Sequence, residues 1–486
     1  MQIMEFTVSS ERVSVVAVVI KTFAAPGGKY VYDRQVNSIL SVSEEEYAAC
    51  QRLESDTVNP EDLLLLERYK EQGYFQASRL KKIEHPATAY MPFYLENGVT
   101  QITMQITQDC NLRCSYCAYG GGYGNQRTHS KKTMPMDTMK KCVDFIMARS
   151  KNVDEVVIGF YGGEPLLEID KMRECISYIK EKYKGRTVRH TITTNGTCFT
   201  DDTIKFLVDN NFDIIISFDG PRELHNFNRV YADGRGSFDD IMDGVNKIKE
   251  LYPEHYRKVM FLTTVAPNID LACVSDFYTA EDILQSNSVT LNQVSPFGAN
   301  DDMVYDDMYG MTYKYQMTKL LLSELGMYKK EKISKLFLAG LATIVRLHSN
   351  LSKSVLPEIS HPGGPCLPGV MRPFVDVNGN IYPCERVSEG THAVRIGHIE
   401  TGFDLDKIKA VLNVGRLTET ECINCWCFMH CFSCVAACDN DGKLCGVERL
   451  RHCEMMKNTT LNYFDIICLL LENECDFTRK EEAYNA

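Results

Sequence analysis

The sequence predicts an α/β protein whose main domain is a partial, TIM-like (β/α)6 barrel, preceded by a small α+β domain and followed by a cysteine-rich domain. Three observations lead to this prediction. β-Rich runs alternate with amphipathic segments from about residue 100 onward, which is typical of strands and helices around a parallel sheet. Short strand and helix patterns precede this region. Half of the 20 cysteines follow it, between Cys366 and Cys453.

Residues 1–92 are predicted to form the small α+β domain. Two short β-rich runs come first, at Val13 to Lys21 and Tyr30 to Asp33. Helical patterns follow at Ser43 to Leu53 and Pro60 to Gln72. This order indicates a unit separate from the barrel.

Residues 98–300 are predicted to form the barrel. The predicted strands are Ile102 to Thr107, Glu155 to Phe160, His190 to Thr194, Asp213 to Ser217, Val259 to Val265 and Val289 to Val294. The predicted helices are Asp137 to Arg149, Leu167 to Tyr183, Asp201 to Asn210, Phe238 to Leu251 and Cys273 to Gln285. In such folds the active site lies at the carboxyl ends of the strands.

Three further regions are predicted after the barrel. Residues 301–360 form a helical bridge, residues 361–458 form the cysteine-rich domain, and residues 459–486 form a final helix and tail.

A net charge of −12 argues against a nucleic-acid partner, because phosphate binding needs clustered Lys and Arg. Apolar runs are too short to cross a membrane and no signal peptide is evident. So many cysteines without an export signal predict a cytoplasmic protein whose thiols bind metal.

Cys110, Cys114 and Cys117 form a CxxxCxxC triad directly after the first barrel strand. Closely spaced cysteines are typical ligands of iron–sulfur clusters, and three thiolates leave the fourth iron of a cubane open. The alternative is a structural zinc site, which needs four ligands. No fourth Cys or His lies beside the triad, since the nearest histidine is His129 beyond a glycine-rich run. The triad therefore predicts an iron–sulfur cluster with a reactive iron.

Three other unusual loops follow the next three predicted strands. They are Tyr161 to Pro165 (YGGEP), Thr194 to Gly196 (TNG) and Ser217 to Pro221 (SFDGP). Because the carboxyl ends of parallel strands meet at one edge, the loops are expected to converge beside the triad. Glycines such as Gly162 and Gly163 would allow the backbone to approach a ligand closely.

The triad followed by Gly162-Gly163-Glu164 resembles the radical S-adenosylmethionine (SAM) enzymes, over roughly residues 100–298. The resemblance implies a 4Fe–4S cluster on Cys110, Cys114 and Cys117, with SAM chelating the open iron. Reductive cleavage of SAM then gives a 5′-deoxyadenosyl radical.

The resemblance also implies a SAM pocket. Gly162, Gly163 and Glu164 would meet the methionyl ammonium, and Arg229 the methionyl carboxylate. The other pocket residues implied are Ser217 and Asp219 at the ribose, Tyr116 near the adenine, and Thr194 and Asn195.

Alternatives remain open for several of these residues. Glu164 could be the exposed acid of a strand-ending turn, and Tyr116 could simply pack within its loop. Related proteins often carry an acid where this chain has Asn226, three residues before Arg229. His129 and His190 are expected to be ordinary polar or structural residues.

The second cysteine cluster begins with Cys366 and Cys384, and Asn378-Gly379 between them predicts a β-hairpin that brings the two together. The region resembles the SPASM extension of peptide-modifying radical SAM enzymes, which holds two auxiliary 4Fe–4S clusters. The resemblance implies an outer cluster on Cys422, Cys425, Cys431 and Cys453.

The inner cluster would be held by Cys366, Cys384 and one further cysteine. This third ligand is either Cys434 or Cys438, and the choice is open because neither matches the family spacing. Cys434 is favoured, since a one-residue deletion disturbs a loop least. If neither fits, the inner cluster keeps an open iron that could bind a substrate thiolate. The alternative to auxiliary clusters is a zinc-ribbon-like scaffold.

The domain order resembles that of ribosomal-peptide maturases, in particular the thioether-forming sactipeptide and ranthipeptide enzymes. It implies that residues 1–92 are a winged-helix-like peptide-recognition (RRE-like) domain, which adds the leader of a precursor peptide to a sheet edge. The alternative is a structural cap. An external electron donor such as flavodoxin or ferredoxin is the second implied partner.

The predicted activity is hydrogen abstraction from a precursor-peptide residue, followed by an intramolecular Cys thioether crosslink. Two other enzyme activities stay open, namely carbon–carbon crosslinking of a peptide and formylglycine formation in a sulfatase. A non-enzymatic iron–sulfur or zinc redox sensor is a further alternative. The sequence assigns no catalytic base.

Overall fold

The computed structural model describes residues 18–267, 269–281, 284, 287–301, 303–330, 333–351, 355–362 and 366–477. The strand predicted from Val13 to Lys21 therefore begins outside the described residues. Among the described residues, no helix is long and apolar enough to span a membrane.

The small α+β domain is a three-stranded antiparallel sheet covered by helices. Its strands are β1 (Ile20–Ala25), β2 (Gly28–Asp33) and β3 (Ser38–Val42), in the order β1-β2-β3. Its helices are α1 (Glu44–Glu54), α2 (Pro60–Leu65) and α3 (Glu67–Glu71). Ser43 and Glu46 form a capping box that starts α1. The predicted helix from Pro60 to Gln72 is broken at Leu66, and strand β3 was not predicted.

The barrel contains all six predicted strands in parallel. They are β5 (Gln101–Thr107), β6 (Glu155–Gly162), β7 (Thr187–Thr194), β8 (Phe212–Ser217), β9 (Met260–Val265) and β10 (Ser288–Gln293). The pair β4 (Lys82–Ile83) and α4 (Met91–Asn97) leads into them. The order is β10-β9-β8-β7-β6-β5, as expected for consecutive β/α units.

Helices cover the outer face of this sheet. They are α5 (Met136–Arg149), α6 (Ile169–Lys182), α7 (Asp201–Asp209), α8 (Arg222–Asn228), α9 (Phe238–Leu251), α10 (Pro253–Tyr256) and α11 (Leu271–Ala280). The helix predicted from Cys273 to Gln285 thus ends at Ala280. Outward side chains of the strands, such as Ile102, Met104 and Ile158, pack with the helices in one continuous core.

The cysteine-rich domain extends the barrel sheet. Its strands are β11 (Ile359–Ser360), β12 (Phe374–Val375), β13 (Asn380–Tyr382), β14 (Gly397–His398) and β15 (Gly402–Phe403). Strand β12 pairs with β5 in parallel, and β13, β14 and β15 follow antiparallel, which gives a ten-stranded sheet. The predicted hairpin at Asn378-Gly379 is confirmed as the β12–β13 turn, and Gly379 has φ +88°. Strand β11 pairs with β4.

The remaining elements are mostly helical. The bridge contains α12 (Asp307–Glu324) and α13 (Leu338–Asn350), as predicted. The cysteine-rich domain continues with α14 (Leu405–Leu412), α15 (Glu419–Ile423), the hairpin β16 (Asp439–Asn440) and β17 (Lys443–Leu444), α16 (Gly446–Arg451) and α17 (Cys453–Glu472). The last cysteine of the domain therefore opens the final helix.

Candidate active site

The cysteine triad lies on a tight loop after β5. The loop turns at Cys114, where the amide of Cys117 donates to the Cys114 carbonyl at 3.1 Å, and the amide of Leu112 donates to the sulfur of Cys110 at 3.4 Å. All three thiols are half-buried, and burial raises the pKa of each one. Buried thiols of this kind become thiolates when a metal binds them.

Among the described residues, no group of three or more Cys, His, Asp or Glu side chains is placed to hold a single metal ion.

Gly162 and Gly163 pack against the backbone of the cysteine loop. A Cβ on Gly162 would lie 2.1 Å from the Thr107 carbonyl oxygen, and one on Gly163 would lie 1.9 Å from the Asp109 carbonyl oxygen. The amide of Gly163 donates to Thr107 at 2.9 Å, and the amide of Glu164 donates to Asp109 at 2.8 Å. The close approach of both glycines is thus to the backbone of the cysteine loop, which fixes the position of the triad, and their approach to a ligand stays a prediction.

Glu164 is buried and ties the loops after β6 and β7 together. Its carboxylate accepts hydrogen bonds from the Thr194 hydroxyl at 2.7 Å, the Asn195 amide at 2.7 Å and the Leu166 amide at 3.0 Å. The side-chain amide of Asn195 then reaches the sulfur of Cys110 at 3.8 Å. The alternative of an exposed turn acid is therefore wrong, and the loops after β5, β6 and β7 converge as predicted.

Buried Asp219, after β8, and buried Arg229, after α8, meet the half-buried Tyr116 of the cysteine loop at the same mouth. The Tyr116 hydroxyl donates to Asp219 and accepts from Arg229 at 2.7 Å, and Arg229 lies 4.0 Å from Asp219. Burial raises the pKa of Asp219, whereas the charge of Arg229 opposes that shift. Tyr116 thus connects the cysteine loop to the residues predicted to hold SAM. Ser217, which ends β8, is half-buried beside them.

Asn226 has a structural role that accounts for its departure from the family pattern. Its side-chain oxygen accepts from the Phe238 amide at 3.0 Å, which fixes the start of α9 relative to α8. His190 is also structural, since its Nδ1 lies 3.2 Å from the Asn210 carbonyl oxygen. His129 lies beside the cysteine triad, since its Nε2 is 3.8 Å from the sulfur of Cys117.

Comparison with known proteins identifies this part of the chain. Residues 104–279 match the Radical SAM superfamily. The chain carries a radical SAM domain. Such domains use a 4Fe–4S cluster and SAM, and the cysteine loop with its companion loops fits both by the chemistry of its donors.

Curated relatives extend beyond the radical SAM domain. A cysteine-type anaerobic sulfatase-maturating enzyme of Clostridium novyi is 27% identical over 348 residues, which cover 69% of this chain and 87% of that protein. A serine-type anaerobic sulfatase-maturating enzyme of Bacteroides thetaiotaomicron is 31% identical over 165 residues, or 34% of this chain and 39% of that protein.

A solved structure shares the fold. The sulfatase-maturating enzyme anSMEcpe with bound SAM superposes with a TM-score of 0.55 at 21% identity, covering 76% of this chain and 98% of that one. The partial barrel and the cysteine-rich extension are therefore a known combination of folds.

A buried polar cluster joins the radical SAM domain to the sheet extension. Glu389 accepts from Gln105 of β5 at 2.5 Å and from Arg127 at 3.0 Å, and Arg127 stacks 3.6 Å from the ring centre of Tyr119. Burial raises the pKa of Glu389, and Arg127 opposes the shift. These contacts lock the cysteine loop against the cysteine-rich domain.

Glu385 is a second acid at this junction, and sequence reasoning missed it. One of its oxygens accepts from Arg372 at 2.5 Å, whereas the other is buried with no partner in the described part of the chain. Tyr161 packs against the same region, since its ring centre lies 6.1 Å from that of Phe374 on β12. Burial raises the pKa of Tyr161, and the charges of Glu385 and Cys117 both add to the shift. The signal in the sequence was the position of Glu385, directly after the predicted ligand Cys384.

The predicted outer cysteines surround one cavity. Cys422, Cys425, Cys431 and Cys453 line it together with Cys427, Arg449 and Lys457. Burial raises the pKa of Cys453, and the charges of Cys422 and Cys431 add to that shift. The four residues can therefore hold a cluster. Cys427 instead pairs with the Thr460 hydroxyl at 3.3 Å.

The predicted inner cysteines meet at Cys434. Burial raises the pKa of Cys434, and Cys366 is the charged cysteine that adds to the shift. Burial likewise raises the pKa of Cys384, with Cys434 as a contributing neighbour. Cys438 lies next to Cys434, since its sulfur donates to the Cys434 carbonyl at 3.6 Å, and its own carbonyl accepts from the Cys445 amide at 2.7 Å across the β16–β17 hairpin. The preference for Cys434 over Cys438 stays a prediction.

The small α+β domain reaches the outer cysteines through its β2–β3 turn. Arg34 in this turn is fully buried and donates to the carbonyls of Ile423 at 2.5 Å and Cys425 at 3.2 Å. Asn37 in the same turn accepts from the Tyr32 hydroxyl at 2.8 Å and lies 2.9 Å from Nε2 of His430. This contact could not be predicted from the sequence, because the β2–β3 turn and the segment around Cys425 are far apart in the chain.

Proposed function

We propose that the protein is a radical SAM peptide maturase that forms a thioether between a cysteine sulfur and a carbon of the same precursor peptide. The observation that carries the proposal is the inner cysteine set. Cys366, Cys384 and Cys434 would supply three thiolates, one fewer than the four irons of a cubane. A site of this kind has room for one external sulfur ligand.

The bound groups would supply a 5′-deoxyadenosyl radical at the cysteine triad and a one-electron acceptor at the inner set. The overall reaction removes two hydrogens from the peptide. One leaves the attacked carbon as a hydrogen atom and becomes part of 5′-deoxyadenosine. The other leaves the cysteine thiol as a proton and an electron, as the carbon–sulfur bond forms.

The position of the inner set supports a transfer between the two regions. Arg127, ten residues after Cys117, forms an ion pair with Glu389, five residues after Cys384, at 3.0 Å. The segments that follow the two cysteines are therefore in direct contact. A peptide at this junction would contact both.

Glu385 is the proposed base that accepts the proton. Its unpartnered oxygen is buried beside the inner set, where a carboxylate can take up a proton without competition from a second donor. Arg372 holds the other oxygen in place at 2.5 Å.

We further propose that the small α+β domain binds the leader of the precursor. The described part of this domain has three strands followed by three helices. Strand β3 is an edge strand, so an extended peptide can pair with it. A groove beside this strand, lined by Tyr30, Ile39 and Ser41 and by Leu351 and Ile467 of the helices opposite, would receive its side chains. A flavodoxin or ferredoxin would supply the electron that starts the reaction.

Coexpression with any short open reading frame that lies beside the gene tests the proposal. The peptide should lose two hydrogens for each link, resist thiol alkylation at the linked cysteine, and keep the bridge on fragmentation. A peptide whose cysteines all alkylate with an unchanged mass would contradict it. Glu385→Gln should lower product formation while 5′-deoxyadenosine is still made, and Glu400→Gln, at an exposed acid paired with Lys141, is the matched control.

A second candidate is the formation of formylglycine from a cysteine or serine. The extent of the match to the sulfatase-maturating enzyme of Clostridium novyi, 87% of that protein, favours it. The same coexpressed peptide separates the two activities, because formylglycine carries an aldehyde. A hydrazide probe should label a formylglycine product and leave a thioether product unlabelled.

A further inference from the structure

Arg449 lies at the wall between the outer cysteines and the rest of the cysteine-rich domain. It is on α16 and is 1% exposed. Its Nη1 donates to the Thr418 hydroxyl at 2.8 Å and to the sulfur of Cys422 at 3.3 Å. Its Nε and Nη2 are buried without a hydrogen-bond partner among the described residues.

No carboxylate balances this charge in the described structure. The acids nearest in sequence have other partners, since Glu448 pairs with Arg451 at 2.8 Å and Glu454 pairs with Lys457 at 2.8 Å. The groups that raise the pKa of Arg449 against the effect of burial are all cysteines, namely Cys422, Cys431 and Cys438.

A buried guanidinium without a counter-ion is strongly unfavourable, because burial removes its hydration. Sulfur can compensate the charge only when it is anionic, as in a thiolate or a cluster. Since Cys422 and Cys431 line the same cavity as Arg449, the negative charge that balances Arg449 is expected in that cavity.

The two other cations near the outer set differ from Arg449. Arg34 donates to backbone carbonyls, and Cys425, Tyr32 and Asp33 are the neighbouring groups that oppose the effect of burial on its pKa. Lys457 is half-buried and already paired with Glu454. On the inner side, Glu385 is paired with Arg372, and Arg386 is exposed. Arg449 is thus the buried cation that donates directly to a sulfur of the outer set.

We propose that Arg449 is the charge partner of the outer cluster and raises its reduction potential, so that the electron released during peptide modification comes to rest there. The inference rests on the proposed function, which places clusters on both cysteine sets. Reduction adds one negative charge to the cluster without a proton, and a fixed positive charge at hydrogen-bond distance from a ligand sulfur stabilises that reduced form. The electron comes from the substrate radical, and it leaves to the external electron carrier.

Redox titration of the full-length, reconstituted protein followed by electron paramagnetic resonance tests the inference. Arg449→Gln should shift the outer-cluster potential to a more negative value and leave the other two clusters unchanged. Arg449→Lys should restore most of the shift, because it keeps the charge. Arg451→Gln is the matched control, two residues away on the same helix but exposed and paired with Glu448.

The outcomes separate the inference from the proposed function. An unchanged outer-cluster potential in Arg449→Gln, with about twelve irons bound, would overturn the inference and leave the function standing. If Arg449→Gln fails to assemble the outer cluster, restoration by Arg449→Lys supports the charge role and failure to restore overturns it. Wild-type protein with about four irons would overturn both.

Discussion

The cysteine loop of the radical SAM domain and the cysteine-rich domain both gather thiols, but their surroundings differ. Around Cys110, Cys114 and Cys117, charged side chains pair with one another, as Arg229 does with Tyr116 and Asp219. Around the outer set, Arg449 has no acidic partner among the described residues and faces sulfur.

This difference indicates a division of roles. The first region is open on one side, since Cys114 and Cys117 line a surface cavity with Arg113 and His129. A site that must admit a cofactor and a substrate needs such an opening. The outer set lies among the cations Arg34, Arg449 and Lys457, which suits a group that only exchanges electrons.

Loss of one triad cysteine should have the largest effect and should remove only the cluster of the radical SAM domain. Cys114→Ala is expected to abolish 5′-deoxyadenosine formation, because the remaining two thiolates cannot hold the cluster. Iron content should fall from about twelve to about eight per chain, as both other clusters persist. Cys273→Ala, at an exposed cysteine outside all three sets, is the control. Residual SAM cleavage in Cys114→Ala would disprove the assignment.

Separate alanine substitutions of the two candidate inner ligands should show which of them binds the inner cluster of the cysteine-rich domain. Cys434→Ala should remove one cluster, about four irons, whereas Cys438→Ala should retain about twelve. The expectation follows from the preference for Cys434 as the inner ligand, whereas the sulfur of Cys438 donates to the Cys434 carbonyl and its carbonyl accepts from the Cys445 amide. Iron analysis with Mössbauer spectroscopy measures both variants. The opposite result would assign the ligand to Cys438.

Removal of Arg34 should weaken the contact between the small α+β domain and the outer set. Arg34→Ala leaves the carbonyls of Ile423 and Cys425 without their donor and is expected to cost about 3 kcal/mol of unfolding free energy. Denaturant unfolding under anaerobic conditions measures it. Arg79→Ala, at an exposed position of the same domain, should change stability by less than about 0.5 kcal/mol. Equal effects of the two variants would refute the docking role.

Substitution of Glu164 should have the smallest effect of the four. Glu164→Gln keeps the shape but weakens the hydrogen bonds to Thr194 and Asn195, which predicts a loss of about 2 kcal/mol in unfolding free energy. Glu168→Gln is the control, because Glu168 forms a partly exposed pair with Lys171 worth at most about 1 kcal/mol. If Glu164→Gln and Glu168→Gln are equally stable, the hydrogen bonds of Glu164 do not stabilise the loops after β6 and β7.

Much of the barrel could be predicted because its strands are buried, β-branched runs with clear ends. Strand β3 was missed, since Ser38 to Val42 is short and runs straight into the capping box of α1. The break at Leu66 was missed because the apolar periodicity continues through it.

The candidate site could be predicted where its residues form local motifs, as in the triad and Gly162-Gly163-Glu164. Arg34, Arg449 and Glu385 could not be found in this way. Each gains its role from burial or from a partner that is remote in sequence. Arg34 and Arg449 leave no periodic or spacing signal, and Glu385 is marked only by its place directly after Cys384.

The iron and sulfide content of anaerobically reconstituted wild-type protein, combined with Mössbauer spectroscopy, tests the central claim that the two regions carry different clusters of one enzyme. The account predicts about twelve irons per chain in three cubanes. About four irons together with tightly bound zinc would contradict it.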